Sequence, residues 1–235
     1  SVHAMSRGGS TALFMAVISD SIEVVRELID AGSDVNGRDN HSETPLWRAA
    51  QFNDDPGIAR LLIDSGADVK IRNVNNRTLL MAAAFENNVE LMKLFIEEGV
   101  DVDARNEDGQ TALMFALGCG NTEAAQTLID FGADIFLRDR YNRTTLLSAI
   151  RGCDTFFTKY LIAVGVDVNI ASSGGDTPLL VAYEKGDSIV VDLLLKKGAD
   201  WKAVDDDGNT CLIQAVKGNK INLVRDLLKR GIDID

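Results

Sequence analysis

Apolar residues recur along the chain at the spacing of short, one-sided helices. Ile22, Val25 and Ile29 lie three and four residues apart, which is the spacing of a single buried helix face. Gly32 follows this stretch, and a short polar segment leads to the next one. Because glycine commonly ends a helix in a left-handed conformation, the pattern predicts short helices joined by polar turns.

The pattern repeats about every 33 residues. A threonine recurs at spacings of 33, 34, 33, 33, 33 and 33 residues, with leucine two positions and alanine five positions after it. The threonines are Thr11, Thr44, Thr78, Thr111, Thr144, Thr177 and Thr210. The single longer spacing coincides with an extra residue at 53–57, between two helical stretches. Self-similarity at this period is typical of repeat proteins, so the sequence predicts seven repeats and fourteen helices in seven pairs.

Each repeat carries residue types that suit helix ends and tight turns. Threonine is a good N-cap, and Pro45 and Pro178 stand at the first helical position, where a missing N–H costs nothing. The glycines expected to end the second helices are Gly32, Gly66, Gly99, Gly132, Gly165, Gly198 and Gly231. Two positions before each threonine lie residues that favour the positive φ of a turn, namely Gly9, Ser42, Asn76, Gly109, Asn142, Gly175 and Gly208.

Thr-Pro-Leu-Trp-Arg-Ala at 44–49 and Gly-Ala-Asp at 66–68 and 198–200 resemble the ankyrin repeat. The resemblance implies an all-α ankyrin-repeat solenoid of helix-turn-helix units with short β-hairpin loops, forming one domain over residues 1–235. The repeats are expected at approximately 6–37, 38–71, 72–104, 105–137, 138–170, 171–203 and 204–235. Where the family usually has histidine this chain has apolar residues, so apolar contact is expected to replace cross-repeat hydrogen bonds. Those residues are Phe14, Trp47, Met81, Met114, Leu147, Leu180 and Ile213.

Charge and composition exclude several classes of partner and location. The net charge of −12, from 36 acidic and 24 basic residues, repels phosphate backbones and argues against nucleic acid. No run of eighteen apolar residues predicts insertion into a membrane, and the first residues do not resemble a signal peptide. Three cysteines without close pairing favour a reducing, cytoplasmic location. The chain is expected to be a monomer and is interpreted as an array excised from a larger protein.

The sequence has no recognisable catalytic or metal-binding motif. Neither a zinc-protease helix motif nor a phosphate-binding glycine loop occurs, and His3 and His41 lie outside the predicted helices. Cys119 and Cys153 have no histidine base nearby in the pattern and are interpreted as incidental. We therefore expect no cofactor, no metal and no enzymatic activity.

The family resemblance implies where a partner would bind. Ankyrin arrays generally hold partner proteins on a concave surface made of hairpin tips and the exposed side of the first helices. Aromatic and arginine side chains are the usual interface anchors. The candidate partner-binding residues are His41, Trp47, Arg48, Phe52 and Phe85 in repeats two and three, and Arg140, Tyr141 and Arg143 in repeat five. Core packing is an equal alternative for Trp47.

The predicted function is a protein–protein interaction scaffold whose partner has a basic or mixed-charge surface. The alternative is the substrate- or partner-recognition region of a larger enzyme, channel or secreted effector. A ladder of arginines six positions before threonine could contact an acidic ligand. Pairing with Asp39, Asp139 and neighbouring repeats is the preferred interpretation. The ladder is Arg38, Arg72, Arg105 and Arg138.

Overall fold

The computed structural model describes residues 4–52 and 55–229, and within these ranges it has fourteen α-helices and no strand. The helices are α1 (Ala12–Ile18), α2 (Ile22–Asp30), α3 (Pro45–Phe52), α4 (Gly57–Asp64), α5 (Leu79–Phe85), α6 (Val89–Glu97), α7 (Ala112–Cys119), α8 (Thr122–Asp130), α9 (Thr145–Arg151), α10 (Thr155–Ala163), α11 (Pro178–Lys185), α12 (Ser188–Lys196), α13 (Cys211–Lys217) and α14 (Ile221–Lys229). The predicted all-α repeat fold is confirmed. Isolated antiparallel bridges, Arg72 with Thr78 and Arg138 with Thr144, mark two of the short hairpins.

The repeating threonines begin the first helices, as their position predicts. In six repeats the threonine hydroxyl accepts a hydrogen bond from the backbone N–H three residues later, at 3.2 to 3.4 Å. Thr11 occupies the same position but makes no side-chain cap bond. Each cap satisfies one of the backbone donors that a helix start leaves unpaired.

The glycines and turn residues have the backbone conformations that the sequence predicts. Six of the glycines that follow the second helices have φ between +81° and +93°, and Gly231 lies outside the described residues. All seven turn residues two positions before threonine have φ between +56° and +81°. Non-glycine residues at three of these turns are asparagine or serine, whose short polar side chains tolerate the left-handed region.

Most of the apolar residues at the position where ankyrin repeats usually have histidine are buried. Six of the seven are at most 4% exposed, and only Ile213 in the last repeat is exposed, at 41%. Hydrogen bonds between repeats come from other residues. The Thr122 hydroxyl donates to the Asp154 carboxylate at 2.9 Å, and the Thr155 hydroxyl donates to the Asp187 carboxylate at 2.6 Å. These aspartates also cap α10 and α12, so one carboxylate joins two repeats and starts a helix.

Contacts divide the chain into two compact units. The first unit holds residues 1–107 and 123–133, and in it α3 packs against α1, α4 and α5, and α5 packs against α6. The second unit holds residues 108–122 and 134–235, and in it α9 packs against α7, α10 and α11, and α11 packs against α12 and α13. In both units the first helices of successive repeats pack side by side. The assignment of residues 1–235 to a single domain stays a prediction.

In the loops that follow two of the second helices, asparagine side chains form hydrogen bonds to the loop of the next repeat. The Asn36 amide donates to the carbonyl oxygen of Gly66 at 2.8 Å, and its oxygen accepts the N–H of Asp68 at 2.8 Å. Asn169 makes the same pair of bonds to Gly198 and Asp200, at 3.1 and 2.9 Å. Both side chains are exposed, so they act as clips between loops and not as core residues.

Candidate functional site

A short polar residue five positions before threonine shapes the hairpin tips. In six repeats its side-chain oxygen accepts the backbone N–H groups two and four residues later, at 2.7 to 3.3 Å. These residues are Ser6, Asp39, Asn73, Asp139, Ser172 and Asp205. The bonds fix each tip in one conformation, which places its outer side chains reproducibly. This position was not among the predicted turn residues, although its side chain is short and polar in every repeat.

Arg48 is held between two carboxylates in repeat two. Its terminal nitrogen lies 2.7 Å from the Asp39 carboxylate and 3.1 Å from that of Glu43. Its guanidinium carbon lies 6.0 Å from the ring centroid of Phe52. Asp39 also accepts the backbone N–H of His41 at 2.9 Å. The group therefore brings together three predicted site residues, and the guanidinium has little freedom to move away from the Phe52 ring.

Several hydrogen bonds keep Asp39 ionised. Burial alone would raise the pKa of its carboxyl group, but bonds from the Glu43 backbone, from Arg48 and from the His41 backbone outweigh burial and lower the pKa below its ordinary value. A carboxylate with a lowered pKa in the folded state stabilises the fold above its ordinary pKa of about 3.9. That contribution is lost as the pH falls through the lowered pKa.

Asp39→Asn should therefore destabilise the chain at neutral pH more than in acid. We expect a loss of about 1–3 kcal/mol at neutral pH, because Arg48 would face an amide instead of a carboxylate. The loss should shrink as the pH falls below about 4, because the original carboxylate becomes protonated first in the unfolded chain and then, at still lower pH, in the folded chain. Urea unfolding at both pH values measures the difference. An equal loss at both would show that the charge of Asp39 contributes nothing.

Phe52 and Phe85 stand on the surface, as the sequence predicts. Phe52 is 56% exposed at the end of α3, and Phe85 is 50% exposed at the end of α5. On the neighbouring α1, Met15 and Ile18 are also exposed. We call these four side chains the first-helix apolar row. Met15 and Ile18 were missed, although they lie four and seven positions after threonine, as do Arg48 and Phe85.

Trp47 does not belong to this surface. It is 1% exposed and is the largest fully buried side chain among the described residues. Position 47 follows the repeating leucine, and Phe14 and Met81 at the same position are buried as well. The partner-binding role expected for Trp47 is therefore replaced by the core-packing alternative. Its indole nitrogen is buried without a hydrogen-bond partner.

Arg140, Tyr141 and Arg143 lie in the second unit on one rigid hairpin tip. The Arg143 side chain donates to the Asp139 carboxylate at 2.6 Å, and its guanidinium carbon lies 5.0 Å from the Tyr141 ring centroid. The Tyr141 hydroxyl donates to the Asp108 carboxylate at 3.3 Å. The backbone N–H of Arg140 donates to the Asp108 carbonyl oxygen at 2.8 Å. Tyr141 stays 49% exposed, so the tip offers a ring between fixed charges.

The arginine ladder contributes to the hairpins themselves. Arg72 donates to the carbonyl oxygens of Asn76, in its own hairpin, and of Arg105, in the next, at 3.0 and 2.9 Å. The Asp39 and Asp139 carboxylates are bonded by Arg48 and Arg143. For Arg72, the structure therefore supports the alternative of bonding to a neighbouring repeat.

The described residues contain no group of metal ligands, and their cysteines differ in burial. Within them, no three or more His, Cys, Asp or Glu side chains are grouped so that they could hold a metal ion. Cys119 and Cys153 are exposed, whereas Cys211 is buried, and burial raises the pKa of the Cys211 thiol to about 12. That thiol is protonated at neutral pH and is a poor nucleophile. None of the described helices has the length and apolarity needed to cross a membrane.

Comparison with known proteins identifies one family. A family model for ankyrin repeats in three copies matches residues 1–73, 53–139, 79–171 and 146–235, which together cover the whole chain. A search of curated proteins found no match.

Proposed function

Because the chain belongs to the ankyrin repeat family, whose repeats are protein–protein interaction modules, we propose that it binds a partner protein through its first helices and hairpin tips. We place the site in repeats two and three, on the expected concave face. The observation that carries the proposal is the exposure of Phe52 and Phe85 on adjacent first helices. A group of large apolar side chains exposed to water is energetically unfavourable and commonly marks an interaction site.

The chemistry around the two rings suggests the kind of partner. The first-helix apolar row supplies an apolar strip, and Arg48 stands beside it with both of its neighbouring carboxylates. A partner that covers the strip with apolar side chains and meets this mixed rim with basic or mixed charge would leave no buried charge unpaired. The net charge of −12 favours the same class of partner.

We propose no catalytic activity for the chain itself. Binding through this surface serves an independent scaffold and the recognition region of a larger protein equally well. We also propose a cytoplasmic location, because Cys119, Cys153 and Cys211 are thiols and form no disulfide with one another.

Phe52→Ala and Phe85→Ala should each weaken partner binding by about 1–3 kcal/mol, the range of interface anchors. Each should leave the free energy of unfolding within about 0.5 kcal/mol, because an exposed ring loses few contacts. The intact chain serves as bait to isolate partners, and isothermal titration then measures their affinity for each variant.

Arg60→Ala provides the control, since Arg60 is an exposed residue of the second helix α4. It should retain the partners that the phenylalanine variants lose. Partners that bind both phenylalanine variants as tightly as the original chain would rule out this surface. The tip at Arg140 and Tyr141 would then be the next surface to test.

A further inference from the structure

One position of the second helices changes its chemistry in the second unit. In repeats one, three and four it is Glu23, Glu90 and Glu123, each in the first turn of its helix. A carboxylate is favourable there because it faces the positive end of the helix dipole. In repeats five and six the same position holds Phe156 and Ile189, which are 60% and 57% exposed. Two large apolar side chains thus stand in water where three other second helices carry a glutamate.

These side chains belong to a larger apolar surface on α10 and α12, which pack against each other. Tyr160 and Val164 follow Phe156 at four-residue intervals on α10 and its C-cap, and are 36% and 42% exposed. An open groove of about 390 Å³ lies over α10 and α12 and is lined by Lys159, Ile189, Asp192, Leu193 and Lys196. We call Phe156, Tyr160, Val164, Ile189 and Leu193 the outer patch.

The charge at the end of α12 differs from that at the ends of the second helices of repeats one to four. The helices α2, α4, α6 and α8 end with acidic residues, namely Asp30, Asp64, Glu97 and Asp130. By contrast, α12 ends with Lys196 and is followed by Lys197. Lys159 is exposed on α10, at a position that is basic in repeats one to three as well. Asp192 is the one carboxylate in the groove lining. The outer patch is therefore an apolar surface with a basic rim on a protein whose net charge is −12.

We propose that the outer patch is a second docking surface, and that its occupant is an acidic amphipathic helix of another protein. Apolar residues of that helix would fill the groove between α10 and α12, and its carboxylates would face Lys159, Lys196 and Lys197. The nine residues of α10 span about 13 Å, which matches two to three turns of a bound helix. Helix-in-groove binding of this kind combines apolar anchors with complementary rim charge.

Charge argues against a second copy of the chain as the occupant. A symmetric dimer through the outer patch would bring the same lysines of both copies together. The second helices of repeats one, three and four would supply carboxylates, but at this position they carry glutamate and not an apolar anchor. A contact between the outer patch and those second helices would therefore lack the apolar anchors.

The test uses the full chain and a fluorescein-labelled synthetic helix of about 16 residues. Leucine occupies one face of this probe at helical spacing, and glutamate occupies the remaining positions. Fluorescence anisotropy at low salt measures the dissociation constant. We expect saturable binding that weakens as salt is added. The same helix with lysine in place of glutamate should bind at least about tenfold more weakly.

Phe156→Glu and Ile189→Glu provide the decisive variants. Each introduces the residue that repeats one, three and four carry at this position, so circular dichroism should show an unchanged melting temperature. Each should weaken probe binding by about tenfold or more. Lys196→Glu should weaken it less and reduce the salt dependence. Phe52→Glu is the matched control, because it removes an exposed ring and adds a negative charge on the other surface, and it should leave probe binding unchanged.

Several results would overturn the proposal. They are no saturable binding of the acidic probe, equal binding of the lysine probe, and equal binding by the folded Phe156→Glu and Ile189→Glu variants. If the chain sedimented with phosphatidylserine vesicles and bound them more tightly than the probe, the outer patch would be assigned to a membrane surface instead. Self-association that Ile189→Glu abolishes would assign it to a second copy. None of these results would affect the proposed site at Phe52 and Phe85.

Discussion

We expect replacement of Gly152 by alanine to lower the free energy of unfolding by about 3 kcal/mol. A β-carbon at Gly152 would overlap the carbonyl oxygen of Leu117 and would lie 2.9 Å from the backbone nitrogen of Gly120. Both neighbours are backbone atoms at the end of α7, so no flexible side chain can move aside. Relief would require α7 and α9 to separate, which would disturb the buried contact between them. Urea unfolding followed by circular dichroism measures the loss.

Gly118→Ala is the matched control for this experiment. Gly118 lies inside α7, and a β-carbon there would meet nothing within 4 Å. Alanine should raise stability by about 0.5–1 kcal/mol, because it loses less backbone entropy in a helix than glycine does. If both variants had the same free energy of unfolding, the close approach of the two backbones at Gly152 would make no contribution to the effect of the substitution.

We expect Trp47→Ala to cost about 3–5 kcal/mol of folding free energy. The side chain is 1% exposed, so its removal leaves a large cavity in repeat two. Phe52→Ala, in the same helix, should cost less than about 0.5 kcal/mol because its ring is 56% exposed. Chemical unfolding of both variants in parallel measures the contrast. A Trp47→Ala chain that stays as stable as the original and loses only partner binding would return Trp47 to the interface.

The repeat period made most of the fold predictable. Local backbone geometry depends on the residue type at single positions. The threonine caps, the terminal glycines and the positive-φ turn residues could therefore be predicted from residue types at fixed spacing. Thr78 and Gly99, for example, have their predicted roles. Phe52 and Phe85 were predicted as exposed because the resemblance to ankyrin repeats implies that the positions seven and eight after the threonine lie on the exposed side of the first helices.

For Trp47 the sequence left an interface role and core packing as equal alternatives, and the burial of its side chain selects core packing. Tryptophan is a common interface anchor, but every repeat has an apolar residue at this position, which indicates a core position. Phe156 and Ile189 also differ from their counterparts in the sequence itself, because three other repeats have glutamate at this position. The different surroundings of Gly118 and Gly152 were not accessible in this way. They depend on how closely two backbones approach, and glycine looks the same in both cases.

The asparagine side chains of Asn36 and Asn169, which join successive repeats, differ in their expected rate of deamidation. Asn36 precedes Gly37, whereas Asn169 precedes Ile170. An asparagine before glycine loses its side-chain amide to hydrolysis faster, because no side chain hinders attack by the next backbone nitrogen. In Asn36 this deamidation would replace the group that donates to the Gly66 carbonyl with a carboxylate oxygen that repels it. During prolonged storage, deamidation should therefore weaken the contact between the first and second repeats before the contact between the fifth and sixth.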